Sequence, residues 1–430
     1  MKNFKVLSVA FSLMAVASSA VASEGISFSR ACERGQNITI SAVGDILLHE
    51  TLQRRAVKEN SFAPLWEEVT PYFETSDYSY GNLESPAAEG TDKTGARVRD
   101  PGFVYDGKVY SSYPMFNYHP SIIRELKKSG LDILSTANNH SLDRQSRGID
   151  QTLKEIEKED IQLVGTRYKK DQKKDKLEDW YRVTDINGVK VAWIGCTFIM
   201  NYTKYREEKG AVDPYDQVMF CKSTKGQARI QQIISEQKKE VDAIIITPHW
   251  GDEYVNTPNA IQKEFGRKWI EMGATAVIGS HPHVLQPMEK VVTKDGREGF
   301  IIYSLGNFVS NQGGKESECA GEKSCLAKKL AQRSSVTLFL GLTKNSSGTF
   351  INGVKALPMR MVNQYDNDKI KLDLIEREFS EFDAELARDE KARSPETFGE
   401  GRDEVRHIKT ILPKENLIYN GEEVLTNSGC

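Results

Sequence analysis

VDAIIITPHWGDE, residues 241–253, joins an unbroken apolar run to a histidine and two carboxylates within thirteen positions. The β-branched run through Ile244, Ile245 and Ile246 reads as a strand buried on both faces. His249 follows its C-terminal end. Helical patterns flank it: KGQARIQQIISEQKKE (225–240) places Ile230, Ile233 and Ile234 on one face, and NAIQKEFGRKWIEMG (259–273) ends at Gly273, a natural helix stop. Two more buried strands follow, ATAVIG (274–279) and GFIIYSL (299–305). Toward the N-terminus the rhythm continues. NITISAVG (37–44) reads as a strand, SIIRELKKSG (121–130) as an amphipathic helix stopped by Gly130, and LDILSTA (131–137) as a strand. A helix follows near 149–158, then strands IQLVG (161–165) and VKVAWIGCTF (189–198). Alternating β and α segments specify an α/β domain with helices covering a sheet.

The polar residues cluster where such a fold binds ligands, beyond the C-terminal ends of strands. Of the seven histidines, five lie in four motifs: AVGDILLHE (Asp45, His49), LSTANNHSLD (Asn139, His140, Asp143), IIITPHWGDE (His249) and GSHPHVLQP (His281, His283). YSYGNLESP adds Asn82 and Glu84 after another apolar run. Two dications about 3.5–4 Å apart draw roughly ten oxygen and nitrogen donors from several loops. Each motif alone has a plainer reading, as a turn aspartate or a structural histidine. SHPH is sharper, because a proline between two histidines is expected to hold them extended and aim both rings at neighbouring coordination positions. Asp143 and Asp252 lie just beyond ligand positions and are expected either to orient imidazoles or to be surface carboxylates.

Composition narrows the classes. The chain has 430 residues, 39% hydrophobic content and a net charge of −3, with mean hydropathy −0.50 and no basic stripe. A soluble globular protein is expected, with no nucleic-acid partner. Lys2 and Lys5 precede an uncharged apolar run from Val6 to about Ser19, and Ala20-Val21-Ala22 is a small-x-small site. This is the pattern of an export signal (1–22) cleaved near Ala22, too short for a membrane span. Cleavage would move the net charge to −5 (56 basic against 61 acidic residues) and predicts a periplasmic or secreted protein. Six cysteines follow the signal, none in a CxxC pair. Three bridges are expected in an oxidising compartment, Cys319–Cys325, Cys196–Cys221 and Cys32–Cys430.

Three stretches interrupt the alternation: 87–118, rich in Gly, Asp and Tyr; 199–225, carrying Tyr202, Lys204 and Tyr205; and 311–335. Each is long enough for a functional loop. The domain is expected to span 37–365. Residues 366–430 are strongly charged and are expected to pack on its outside as one or two solvated helices.

The motifs GDILLH, GNLESP, ANNHSLD, PHWGDEY, GSHPHVLQP and YSLGNF, in this order over about residues 38–363, resemble the CapA family of poly-γ-glutamate capsule biosynthesis proteins, a branch of the calcineurin-like metallophosphatase superfamily. The resemblance implies a four-layer α/β/β/α sandwich with a dinuclear site at the strand ends. It implies Asp45, Glu84, Asn139, His249, His281 and His283 as metal ligands, with His49 as a further candidate ligand, and His140 as the group that protonates a leaving atom or holds a substrate oxygen. Two departures weigh against ordinary phosphatase activity. The superfamily uses Asp-x-His where this chain has Asp45-x-x-x-His49, and Glu84 replaces a bridging aspartate. The implied cofactors are two divalent transition-metal ions, Mn, Fe or Zn. Two functions fit: an exported hydrolase of a phosphoester or a γ-glutamyl amide, or a non-catalytic factor that binds an anionic polymer for export, alongside capsule-synthesis membrane proteins.

Overall fold

The computed structural model describes residues 25–201, 214–314, 319–364, 369–375 and 402–418. The leader 1–22, the tyrosines and lysine of the 202–213 excursion, and Cys430 lie outside these residues.

Two sheets carry the fold. At the centre of the eight-stranded sheet is β1 (Gln36–Leu47). On one side of it lie the parallel strands β2 (Tyr78–Leu83), β3 (Ile133–Ser135) and β4 (Gln162–Val164). On the other lie the antiparallel β12 (Ser334–Asn345), β13 (Gly348–Gln364) and β14 (Lys369–Leu374). β11 (Asn307–Ser310) pairs parallel with the last residues of β1. The six-stranded sheet runs β5 (Arg182–Ile186), β6 (Val189–Thr197), β7 (Ala243–His249), β8 (Ala276–Ile278), β10 (Glu298–Leu305) and β9 (Leu285–Val292). Its inner neighbours β6, β7, β8 and β10 are parallel.

Side-chain alternation along the strands assembles the layers. Ile245, Ile278, Phe300 and Ile302 of the second sheet meet Ile38, Ile40, Ala42, Tyr80 and Ile133 of the first in one core. The alternate residues Ile244, Ile246, Val277 and Ile301 face away and pack on Ile230, Ile233 and Ile234 of α5 (Thr224–Gln237) and Trp269 and Ile270 of α6 (Ala260–Met272). On the far side of the first sheet, Leu134 and Ile46 pack on α1 (Glu50–Glu59), α2 (Thr70–Glu74), α3 (Ser121–Lys128) and α4 (Gln145–Lys158) through Leu52, Phe73, Ile122, Leu126 and Leu153. Helices, sheet, sheet and helices form the four-layer α/β/β/α sandwich.

The helices obey local rules. Asn259 caps α6 in a reciprocal capping box with Gln262, and Gly273 takes φ 135° at its end. The ends expected for α3 and α6 agree with the structure, while α4 begins four residues before Ile149. Strands β12, β13 and β14 had no expectation in the sequence reading. β14 also moves the boundary at 366: Ile370 and Leu372 are buried in the first sheet's outer core, so the sheet continues into the charged segment. Of α7 (Lys323–Arg333) and α8 (Arg402–Ile411), the second carries Val405 and Ile408 into the core between the sheets. An acidic, lysine-rich composition conceals such sparse apolar residues.

Cys196–Cys221 and Cys319–Cys325 are disulfide-bonded, with Cα atoms 5.6 and 5.5 Å apart. Cys32 is also in a disulfide; its expected partner, Cys430, lies outside the described residues. Among the described residues no helix is long and apolar enough to cross a membrane.

Candidate metal centre

Three loops of the first sheet and two of the second converge at the strands' C-terminal ends. Asp45 sits at an irregularity of β1, where the register shifts against both β2 and β11. Gly44 makes this possible: a Cβ there would stand 1.9 Å from the carbonyl oxygen of Gly306, whose carbonyl accepts the Asp45 N–H. Asn82, cross-strand partner of Asp45, donates its amide to Asp45 Oδ1 at 2.7 Å. Glu84 follows the end of β2.

Asn139 and His140 lie in the loop after β3. The first asparagine of the NNH motif is structural: Asn138 donates to the Leu83 carbonyl at 2.8 Å and accepts the His140 N–H at 3.1 Å. His140 Nδ1 lies 2.7 Å from Asp143 Oδ2, which also accepts the Phe116 N–H. Arg144, fully buried, donates to the carbonyls of Thr91 and Val109 and to Ser111 Oγ. That guanidinium ties the 87–118 stretch to the His140 loop.

His249 ends β7, and His281 and His283 occupy the turn after β8. The extended arrangement expected of SHPH is not found. His281 has φ 97° and His283 has φ 57°, so both are left-handed. Such backbone costs about 1–3 kcal/mol per residue and persists where the surroundings over-determine it. Here the His281 N–H is anchored on Asp45 Oδ2 at 3.2 Å, and the two rings still lie close, 5.6 Å between centroids.

The donor atoms form two fully buried groups that share one residue. Glu84, His249 and His281 make one, and Asp45, Glu84 and His283 the other, each with its ligand atoms within 4.8 Å of one another. His249 Nε2 is 3.4 Å from Glu84 Oε1, 2.9 Å from Asn139 Oδ1 and 3.0 Å from His281 Nδ1. His283 Nδ1 is 3.1 Å from Asp45 Oδ2 and 3.0 Å from Asn307 Oδ1, with Nε2 3.7 Å from Glu84.

Glu84 tests whether a metal fits. It is 0% exposed, and neither carboxylate oxygen has a hydrogen-bond partner. A buried carboxylate left this way is costly unless a cation compensates it. Burial, followed by the nearby Asp45 charge, holds its carboxyl well above the usual range. Burial also pushes His249 and His281 well below the ordinary imidazole value, with neighbouring imidazoles adding to the shift. Neutral imidazoles beside a carboxylate released from its proton are a dication's donor set. These residues fit a divalent metal.

Two expected residues stand apart. His49 belongs to neither group; it sits at the N-cap of α1, with Nδ1 3.2 Å from the Leu47 carbonyl and its ring edge-on to Phe116. Asp252 is exposed and accepts a hydrogen bond from Asn259 near the cap of α6, so it orients no imidazole. Sequence reasoning missed Asn307, which meets His283, and Glu253, which groups with His281 and His283. Asn307 was discoverable: YSLGNF repeats the strand-Gly-Asn order of YSYGNL.

The sequence profile of the bacterial capsule synthesis protein PGA_cap matches residues 39–312. The PGA biosynthesis protein CapA of Bacillus subtilis (strain 168) is 30% identical over 278 residues, 64% of each chain. The capsule biosynthesis protein CapA of Bacillus anthracis is 28% identical over 280 residues, 65% of this chain and 61% of that one. The match thus spans less than two thirds of either relative's length. Among solved structures, the NAD nucleotidase NadN of Haemophilus influenzae is similar at 10% identity and TM-score 0.41, covering 92% of this chain and 66% of that one. A phosphatase of Mycoplasma pneumoniae is similar at 15% identity and TM-score 0.41, covering 78% and 100%. With its profile matched across the whole metal-donor constellation, from β1 to beyond β11, the chain belongs to the bacterial capsule synthesis family, PGA_cap.

Proposed function

We propose that the chain is an exported hydrolase of capsular-polymer biosynthesis that works with two divalent transition-metal ions (Mn, Fe or Zn) and cleaves a phosphoester or a γ-glutamyl amide. The orphaned, fully buried Glu84 carboxylate between two donor groups carries this reading. The names of the Bacillus relatives supply the polymer context. Asp45, Glu84 and His283 would hold one ion, and Glu84, His249 and His281, with Asn139, the other. Bound there, such ions supply Lewis acidity and a nucleophile from water near neutral pH.

The chain's own contribution is orientation and a proton. The Asp143 carboxylate accepts from His140 Nδ1, which fixes the ring and leaves Nε2, 3.3 Å from the Asn201 amide, as the atom that can meet a leaving group. A His140 protonated at Nε2 is then a general acid, its positive ring balanced by Asp143. Two internal disulfides suit export to an oxidising compartment, and a mature N-terminus at Ser23 would complete that reading.

Mature protein reconstituted with Mn²⁺, Fe²⁺ or Zn²⁺ tests it, by metal analysis and by turnover against phosphoesters and γ-glutamyl peptides. Up to two ions and hydrolysis of one substrate class are expected. Bound metal with no turnover across the panel would replace hydrolysis by polymer binding, and protein that stays metal-free would remove the centre itself.

A further inference from the structure

A third donor group overlaps the two buried ones. It consists of Glu253, His281 and His283, again with ligand atoms within 4.8 Å of one another, and it differs in having an exposed member. Its two imidazoles come one from each buried group, so Glu253 stands on the solvent side of both positions. The placement is built rather than incidental. The segment carrying Glu253 is fastened to the SHPH turn and to the start of β9: Tyr254 N–H donates to the Pro282 carbonyl at 2.7 Å, Asn256 to the Leu285 carbonyl at 2.8 Å, and Gln286 to the Val255 carbonyl at 2.8 Å. Tyr254 has φ 64°, facing His281 and His283 at φ 97° and φ 57°. Three ring-bearing residues in the left-handed region thus meet in two opposed turns. Among the described residues the other positive-φ positions outside glycine, Asn60, Gln145, Asp160, Asp175, Asn187 and Ala320, carry no ring. Strained backbone of this kind gathers at ligand sites.

Asp252 is the internal comparison. It is also exposed and one residue away, yet it turns toward Asn259 and enters no donor group. The sequence makes the two carboxylates equivalent; the fold separates them.

We propose that Glu253 is a third carboxylate ligand of the centre, closing it on the solvent side by holding a divalent transition-metal ion against the His281 and His283 imidazoles. This rests on the metal reading above. The chemistry is consistent: a carboxylate oxygen with two imidazole nitrogens is a donor set for Mn, Fe or Zn. An exposed ligand also does what Asp45 and Glu84, both 0% exposed, do not. It would be the donor that a hydrated cation reaches from solvent.

Calorimetric titration of the metal-free full chain with Mn²⁺, with ion content checked by mass spectrometry, tests this on wild type, Glu253→Gln and Asp252→Asn. Glu253→Gln keeps the side chain's shape and removes its charge. The expected result is an apparent Kd for at least one Mn²⁺ raised about tenfold or more, the range seen when metal-supporting groups are removed, with Asp252→Asn like wild type and the metal-free melting temperature of Glu253→Gln unchanged. Equal Kd values for wild type and Glu253→Gln overturn the proposal and leave the buried centre standing. An equal loss in Asp252→Asn also overturns it, because diffuse surface charge then accounts for the effect. Wild-type protein that takes up none of Mn²⁺, Fe²⁺ and Zn²⁺ in the same titration overturns the metal reading, and this assignment with it.

Discussion

The two sheets contribute different chemistry to the centre. The eight-stranded sheet supplies the oxygens: Asp45 on β1, Glu84 after β2, Asn139 after β3 and Asn307 on β11. The six-stranded sheet supplies the nitrogens, His249 at the end of β7 and His281 and His283 after β8, together with the exposed carboxylate of Glu253. Both buried groups draw on both sheets: Glu84 meets His249 and His281 in one, and Asp45 and Glu84 meet His283 in the other. The distances between oxygens and imidazoles are therefore set by how the sheets pack, through the core that holds Ile40, Tyr80, Trp193 and Ile245. The centre is a property of the seam.

The strongest way to break that comparison is to remove one donor from each side. Glu84→Ala deletes the residue common to both buried groups, and His283→Ala deletes a nitrogen from one of them. Each is expected to cost at least one ion, with Glu84→Ala losing more, as read by metal analysis after reconstitution. Two ions retained in Glu84→Ala would show that the sheets do not share their oxygens as described.

His140 separates binding from chemistry. It belongs to the oxygen-bearing sheet but to none of the donor groups, and it is paired with Asp143. His140→Ala is expected to keep the ion content and to lower hydrolysis by about 10²–10⁴-fold, the usual contribution of a general acid or base. A mutant that turns over at the wild-type rate would leave His140 without a proton-transfer role.

The seam itself is tested at Trp193. This β6 residue is fully buried, stacks on Tyr80 of β2 with centroids 6.0 Å apart, and donates its indole N–H to Thr184. Trp193→Ala is expected to lower stability in urea by about 3–5 kcal/mol, the cost of emptying an aromatic site in a core. It is also expected to weaken metal affinity although no ligand is touched. Unchanged affinity in a folded Trp193→Ala would mean that donor distances do not depend on sheet packing.

The parts legible in the sequence were those written in short periods. The run from Ile244 to Ile246 announces a buried strand, and His249 at its end announces a member of a buried donor group. The run does not say that Ile245 faces the other sheet while Ile244 and Ile246 face α5, because a continuous apolar run carries no phase. β14 was hidden by charge, although Ile370 and Leu372 alternate. SHPH revealed two members of the donor groups and concealed its conformation, since the left-handed backbone is imposed by contacts such as the one between His281 N–H and Asp45, 236 residues apart. The choice of Glu253 over Asp252 likewise depends on a turn fixed by Pro282, which no local pattern encodes.

His49 gives the smallest expected effect and sharpens the comparison from the oxygen-bearing side. Its spacing from Asp45 departs from the superfamily pattern, and the structure places its ring outside both buried groups. His49→Ala is therefore expected to leave ion stoichiometry unchanged. The side chain makes no capping hydrogen bond to α1, so the helix loses little. What changes is the response to acid. Burial, with the adjacent His283 and His140 imidazoles, lowers its pKa from 6.5 to about 4. Between those values the unfolded chain binds a proton that the folded chain refuses, so this residue's penalty is absent above 6.5 and grows as pH falls toward 4. Melting curves of metal-free wild type and His49→Ala are expected to run parallel above pH 6.5. Below it they should diverge, with the mutant losing less stability per pH unit. A constant offset across the whole range would show that His49 titrates alike in both states, and loss of an ion in His49→Ala would return it to the donor set of the first sheet.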